Sequence, residues 1–306
     1  MTRSPTLTLL LRNFSNRPRD WGDLFERSRA ADEAGIDRVL VSDHVVLGEH
    51  LDAYENGRFL TPSDGQWLEP MTVIAMVAAT TKRVRVGTGV ILAALRRPVV
   101  LAKTAATLDV LSGGRLDLGV GTGWQREEYG AAGLDFARRG QLLDQTLEVC
   151  RLLWADGPAS YEGDGLAFER IWCEPKPIQP GGVPIWVAGR PRGAVLRRIV
   201  RFADGWIPWA EWNDDVAVGI AVLRRAFAEA GRPWDGFQVR VAMPVSQRAD
   251  GVIDVEATMA PVPALVSAGV TDFTVHVELP SGDIAAARDR LSGLVEAFNA
   301  TTGRST

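Results

Sequence analysis

The residues best equipped for chemistry lie where predicted strands end. Val41-Ser42-Asp43-His44 closes one such strand with a carboxylate beside an imidazole. An imidazole exchanges its proton near neutral pH, so His44 could polarise a carbonyl or handle an alcohol proton, with Asp43 as a second catalytic candidate. The structural alternative is a loop histidine satisfied by Asp43. Gly119-Val120-Gly121-Thr122-Gly123-Trp124 closes another strand, and its small residues would let a flat ligand approach the backbone. Glycines that merely turn the chain are the competing reading. The GxGxG spacing lacks the third glycine of the dinucleotide fingerprint, and the glycines and mixed charges of 125–140 predict no helix directly after it. Ala188-Gly189-Arg190-Pro191-Arg192-Gly193 precedes a helix, bringing free amides, a helix dipole and two arginines to one point. That is either a phosphate seat or a surface turn with solvated arginines.

Other candidate groups lead elsewhere. His276 falls inside a predicted strand and reads as core or barrel lining, and the spacing of His50 from His44 is a poor metal signature, so no metal is expected. Cys150 and Cys173 form no CxxC pair, which argues against a zinc site or a disulfide framework and for a reducing compartment. No nucleophile elbow appears, which disfavours a hydrolase. The net charge of -4 argues against general nucleic-acid binding. Neither a signal-peptide pattern nor an apolar run of about 18 residues is present, so a cytoplasmic protein without membrane spans is expected.

The elements that must hold these groups alternate along the 306 residues. Strands are predicted at 6–12, 37–42, 83–91, 115–120, 183–188, 204–208, 237–245 and 270–277. Helices are predicted at 20–34, 70–81, 98–111, 138–154, 192–202, 214–230, 257–267 and 283–298, with a polar, aromatic-containing loop at 45–68 and a Gly-punctuated excursion at 156–182. Eight β/α units without a linker predict an α/β protein made of one (β/α)8 TIM barrel over 1–306, its site at the C-terminal ends of the strands.

The segments VSDH (41–44), VGTGVILAALRRPVVLAKTAATLDVLSGGRLDLGVGTGW (86–124), PIWVAGRP (184–191) and ADGWI (203–207) together resemble the bacterial-luciferase-like family. The SDH ending looks most like the members that use the 5-deazaflavin coenzyme F420, with the FMN-dependent monooxygenases as the alternative. The resemblance implies a luciferase-like barrel with loop insertions and an oxidoreductase that transfers hydride to or from a small, fairly apolar substrate. It places Asp43 and His44 beside the ring, Gly121, Thr122 and Gly123 along its edge or side chain, and Gly189 and Arg190 at the phosphate. It also implies a non-proline cis peptide at Gly89-Val90. In the sugar-phosphate dehydrogenase branch an acidic residue follows the glycine motif, where this chain has Trp124. A more apolar pocket is expected, with Trp67, Trp206 and Trp209 as further walls. A homodimer is implied, a separate coenzyme reductase would serve the FMN alternative, and a non-catalytic coenzyme-binding barrel is the reading from another class.

Overall fold

A computed structural model describes residues 4–19, 21–55, 57–209, 215–249, 252–280 and 282–304. Eight parallel strands close into a barrel in chain order: β1 (Thr6–Leu10), β2 (Arg38–Val41), β3 (Arg85–Thr88), β4 (Leu116–Val120), β5 (Ile185–Ala188), β6 (Gly205–Ile207), β7 (Gln238–Ala242) and β8 (Asp272–Val275). Closure is made by β8 against β1, with Thr8 opposite Thr274 on one side and Arg38 on the other. Most strand positions are buried because helices cover the outer face while side chains fill the inside.

The covering helices are α1 (Gly22–Ala34), α2 (Pro70–Thr80), α3 (Pro98–Ser112), α4 (Arg126–Ala131), α5 (Arg139–Trp154), α6 (Gly193–Phe202), α7 (Val216–Glu229), α8 (Val255–Met259), α9 (Val262–Ala268) and α10 (Ile284–Thr302). Pro70 and Pro98 occupy first-turn positions that need no amide donor, and Gly35 and Gly113 end α1 and α3 in the left-handed conformation. Among the described residues no helix is long and apolar enough to cross a membrane.

Several predicted boundaries move. The first, seventh and eighth strands are shorter than their apolar runs, and 257–267 divides into α8 and α9, with Pro261 between them. The excursion contains an antiparallel hairpin, Ala159–Gly163 against Leu166–Ile171. Short α4 stands where no helix was expected after the glycine motif. The predicted helix starts at Asp20 and Asp214 lie outside the described residues.

The N-terminal end of the barrel is closed by charge. Arg38 donates to Asp117 (2.6 Å) and to Asp272, Arg240 donates to Asp272 (2.7 Å), and Arg85 donates to both oxygens of Asp117 (2.8 and 2.7 Å). Arg240 also lies over the Trp186 ring, 4.0 Å from its centroid. Burial alone would raise the Asp117 carboxyl, but the Arg38 charge and the Arg85 hydrogen bonds outweigh it and hold the group well below its ordinary range. With this end sealed, ligand access falls to the opposite mouth.

One side chain organises that mouth. Asn13, fully buried after β1, donates to the Ser42 and Leu68 carbonyls (2.8 and 2.9 Å) and accepts the Ser42 amide (3.0 Å). Beside it, Phe14–Ser15 pairs antiparallel with Gln66–Trp67.

Candidate active site

Ser42 leaves β2 in the grip of Asn13, and the next two residues take different partners. Asp43 accepts from Arg96 at 2.6 and 3.2 Å and from the Leu92 amide at 2.8 Å, with its side chain fully sealed. Burial raises its carboxyl, while Arg96 and the Leu92 amide pull against that rise. The expected catalytic role of Asp43 is therefore corrected: its oxygens are committed to Arg96 and to the Leu92 amide in the segment that follows β3. Nor does it satisfy His44, whose Nδ1 lies 3.2 Å from Glu128 Oε2, while Glu128 Oε1 accepts the Val45 amide at 2.6 Å.

Rings surround His44. Its centroid lies 4.8 Å from Trp67, 5.1 Å from Phe59 and 6.0 Å from Trp124, each at a steep interplanar angle. Tyr54 closes the group by meeting Phe59 and Trp124, each at 5.3 Å. Of the four tryptophans expected as pocket walls, Trp67 and Trp124 pack against His44. Trp206 does not. It faces outward from β6, its ring packed where a Cβ on Gly219 of α7 would come within 2.2 Å, and its Nε1 donates to the Gly189 carbonyl (2.8 Å). Alternation along the strand explains this, because Gly205 takes the inward position against Trp186. Trp209 lies beyond β6 and is 37% exposed, and among the described residues the rings that meet His44 are Phe59, Trp67 and Trp124. His276 is one residue past β8 and exposed at the mouth, not within the strand.

The Gly89-Val90 peptide is cis. Gly121 packs on it so closely that a Cβ would meet Val90 Cγ2 at 2.8 Å, and a Cβ on Gly123, at φ 71°, would meet Leu92 at 3.2 Å. The glycine turn is small first of all because the 89–92 segment occupies that space. Across the mouth, Gly189 adopts φ 141°, a region that favours glycine. Arg190 reaches to within 3.6 Å of Glu55, and Arg192, the N-cap of α6, adds no side-chain hydrogen bond to the first turn.

These residues fit a flat, anionic coenzyme. The Trp124 Nε1 donor is sealed and has no acceptor among the described residues, which suits a ligand carrying a carbonyl. The N-terminus of α6 and Arg190 supply positive potential for a phosphate. Glu128, Tyr54 and Phe59 escaped the sequence reading. Tyr54 and Phe59 belong to the loop already noted as aromatic, whereas Glu128 lies 84 residues from His44 and has no local spacing to betray it.

A closed barrel of eight parallel strands surrounded by helices, with the His44 imidazole set among aromatic rings at its mouth, defines a TIM-barrel protein of the α/β class. The chain belongs to the luciferase-like monooxygenase family, which matches residues 7–278. An uncharacterized protein of Mycobacterium tuberculosis is 34% identical over 222 residues, covering 71% of this chain and 77% of that protein. The F420-dependent glucose-6-phosphate dehydrogenase of Amycolatopsis mediterranei is 34% identical over 190 residues, 60% of this chain and 52% of the dehydrogenase. Among solved structures, an F420-dependent secondary alcohol dehydrogenase in complex with an F420-acetone adduct shares the fold at a TM-score of 0.78 and 18% identity, covering 97% of this chain and 99% of its own. The oxygenating constituent of 3,6-diketocamphane monooxygenase of Pseudomonas putida, in complex with FMN, shares the fold at a TM-score of 0.71 and 17% identity, covering 95% of this chain and 96% of its own.

Proposed function

We propose that this chain is an F420-dependent oxidoreductase acting on a small, mostly apolar organic substrate. The observation that carries the reading is the placement of His44 at the end of β2, inside an enclosure of Tyr54, Phe59, Trp67 and Trp124 that has aromatic walls and, directly after the glycine motif, Trp124 in place of an acidic residue. Such walls favour an apolar carbon skeleton over a sugar phosphate.

Residues 89–90 and 121–123 would flank the coenzyme ring, and Gly189, Arg190 and the first turn of α6 would hold its phosphate. When bound, the coenzyme supplies or accepts the hydride. His44 moves the matching proton at the substrate oxygen, and the surrounding rings orient the substrate and exclude water. The chain would act as a homodimer, which light scattering over a range of concentrations checks.

The test of the coenzyme is equilibrium binding of oxidised F420 and of FMN, followed side by side by tryptophan quenching. F420 should bind and FMN should not. Tight FMN binding without F420 binding would replace this reading with a reduced-FMN monooxygenase served by a separate reductase. Binding of F420 with no turnover on enones, imines, quinones or alcohols would favour a non-catalytic coenzyme-binding barrel.

A further inference from the structure

An imidazole exchanges protons with a ligand through whichever ring nitrogen faces it, and the surroundings of His44 select that nitrogen. Nδ1 is 3.2 Å from Glu128 Oε2, and the other oxygen of the same carboxylate is taken by the Val45 amide at 2.6 Å. The Glu128 side chain is 0% exposed. A carboxylate offers only acceptors, so this contact calls for hydrogen on Nδ1 and leaves Nε2 for the ligand.

We propose that Glu128 is a positioning residue that sets the tautomer of His44, holding Nδ1–H and presenting a bare Nε2 to the substrate oxygen. The inference rests on the reading of His44 as the proton handler. In alcohol oxidation, Nε2 accepts the hydroxyl proton while the carbon loses its hydride to the coenzyme and the C=O bond forms. The electron pair leaves with the hydride, and the positive charge gained by the imidazole lies against the Glu128 carboxylate. Carbonyl reduction returns the proton from Nε2 to the oxygen. Asp43 adds little to the field at His44 because Arg96 neutralises it, and Glu127 turns outward to His50 at 3.6 Å. Glu128 is thus the carboxylate whose charge the imidazole meets.

Glu128→Gln separates charge and tautomer from shape. Glutamine has one acceptor oxygen and one donor amide, whereas the site presents two donors. The Val45 amide cannot rotate away and takes the oxygen, so the glutamine N–H is aimed at Nδ1, and the ring hydrogen must move to Nε2. The tautomer is read directly by two-bond nitrogen–proton correlation at about pH 8.5, where ordinary imidazoles are neutral. Only three histidines need assignment, and His44→Ala identifies the relevant one.

The expected result is Nδ1–H in the wild type and Nε2–H in Glu128→Gln, with kcat lower by about 100-fold and KM and coenzyme affinity within about 3-fold. Wild-type His44 carrying its hydrogen on Nε2 would overturn the proposal without recourse to any variant. So would a flipped tautomer with unchanged turnover. A slow His44→Ala beside a fast Glu128→Gln defeats the tautomer assignment alone, whereas a wild-type rate in His44→Ala defeats the proton-handling reading beneath it.

Discussion

Arg96 grips Asp43 through both terminal nitrogens, at 2.6 and 3.2 Å, and also reaches Glu69 at 2.9 Å. Glu69 in turn caps α2 by accepting the Thr72 amide at 2.8 Å. The end of β2 is therefore tied through one guanidinium to the start of the helix that follows the aromatic loop. Asp43→Asn leaves Arg96 without its main counter-charge and should cost about 3–5 kcal/mol, the usual scale for breaking a buried pair from one side. Adding Arg96→Met should recover part of that loss. Denaturant unfolding measures both, and an Asp43→Asn midpoint equal to wild type would show that the pair is no clamp.

Gly219 is the place where α7 lies down on Trp206, and an added Cβ would come within 2.2 Å of the indole. Alanine would otherwise favour the helix by about 1 kcal/mol. Overpacking of about 1–3 kcal/mol opposes that gain, so Gly219→Ala should lower Tm. A raised Tm would mean that the indole has room to retreat.

Asp117 is held below its ordinary value, so its contribution to stability is complete above the unfolded-state value near 3.8 and drains away as pH falls toward the folded-state value. Asp117→Asn should be about 3–5 kcal/mol less stable at pH 7, with Arg38 and Arg85 left facing an amide. It should also lose less stability than wild type between about pH 5 and pH 2. Parallel acid-titration slopes for the two proteins would contradict this.

His44→Ala should fold normally, because the ring lies at the barrel mouth and not in the main core. Turnover should fall by about 100-fold or more, while the α6 end of the mouth retains coenzyme binding. Single-turnover rates with pre-bound coenzyme separate lost chemistry from weaker binding. An unchanged rate from pH 5 to pH 9 would move the search to another proton donor.

The alternation of apolar runs and the SDH, GxGxG and AGRP endings were enough to find the barrel and both sides of its mouth, because strand ends and glycine turns are local signals. Glu128 was hidden for two reasons. α4 has only six residues, too few for periodicity to show, and the glycines at 130 and 133 read as loop. The acidic pair Glu127 and Glu128 in its first turn, suited to a helix N-terminus, was the available clue. Trp206 was misplaced because a strand buried on both faces shows no apolar–polar alternation, so Gly205-Trp206-Ile207 gives no hint of which residue looks inward. The role of Asp43 depends on Arg96, 53 residues away, and adjacency to His44 suggested a partnership that the backbone does not make.

Asn13 joins the two shoulders of the 43–67 segment, Ser42 and Leu68, with a single amide. Whatever length or composition lies between those shoulders, its ends are brought together by the barrel and not by the loop. Lengthening such a closed loop is thermodynamically cheap, about 0.6 kcal/mol per doubling. The stretch carrying Tyr54 and Phe59 can in this sense grow without parting the two shoulders, and His44, seated just inside one of them, keeps its place.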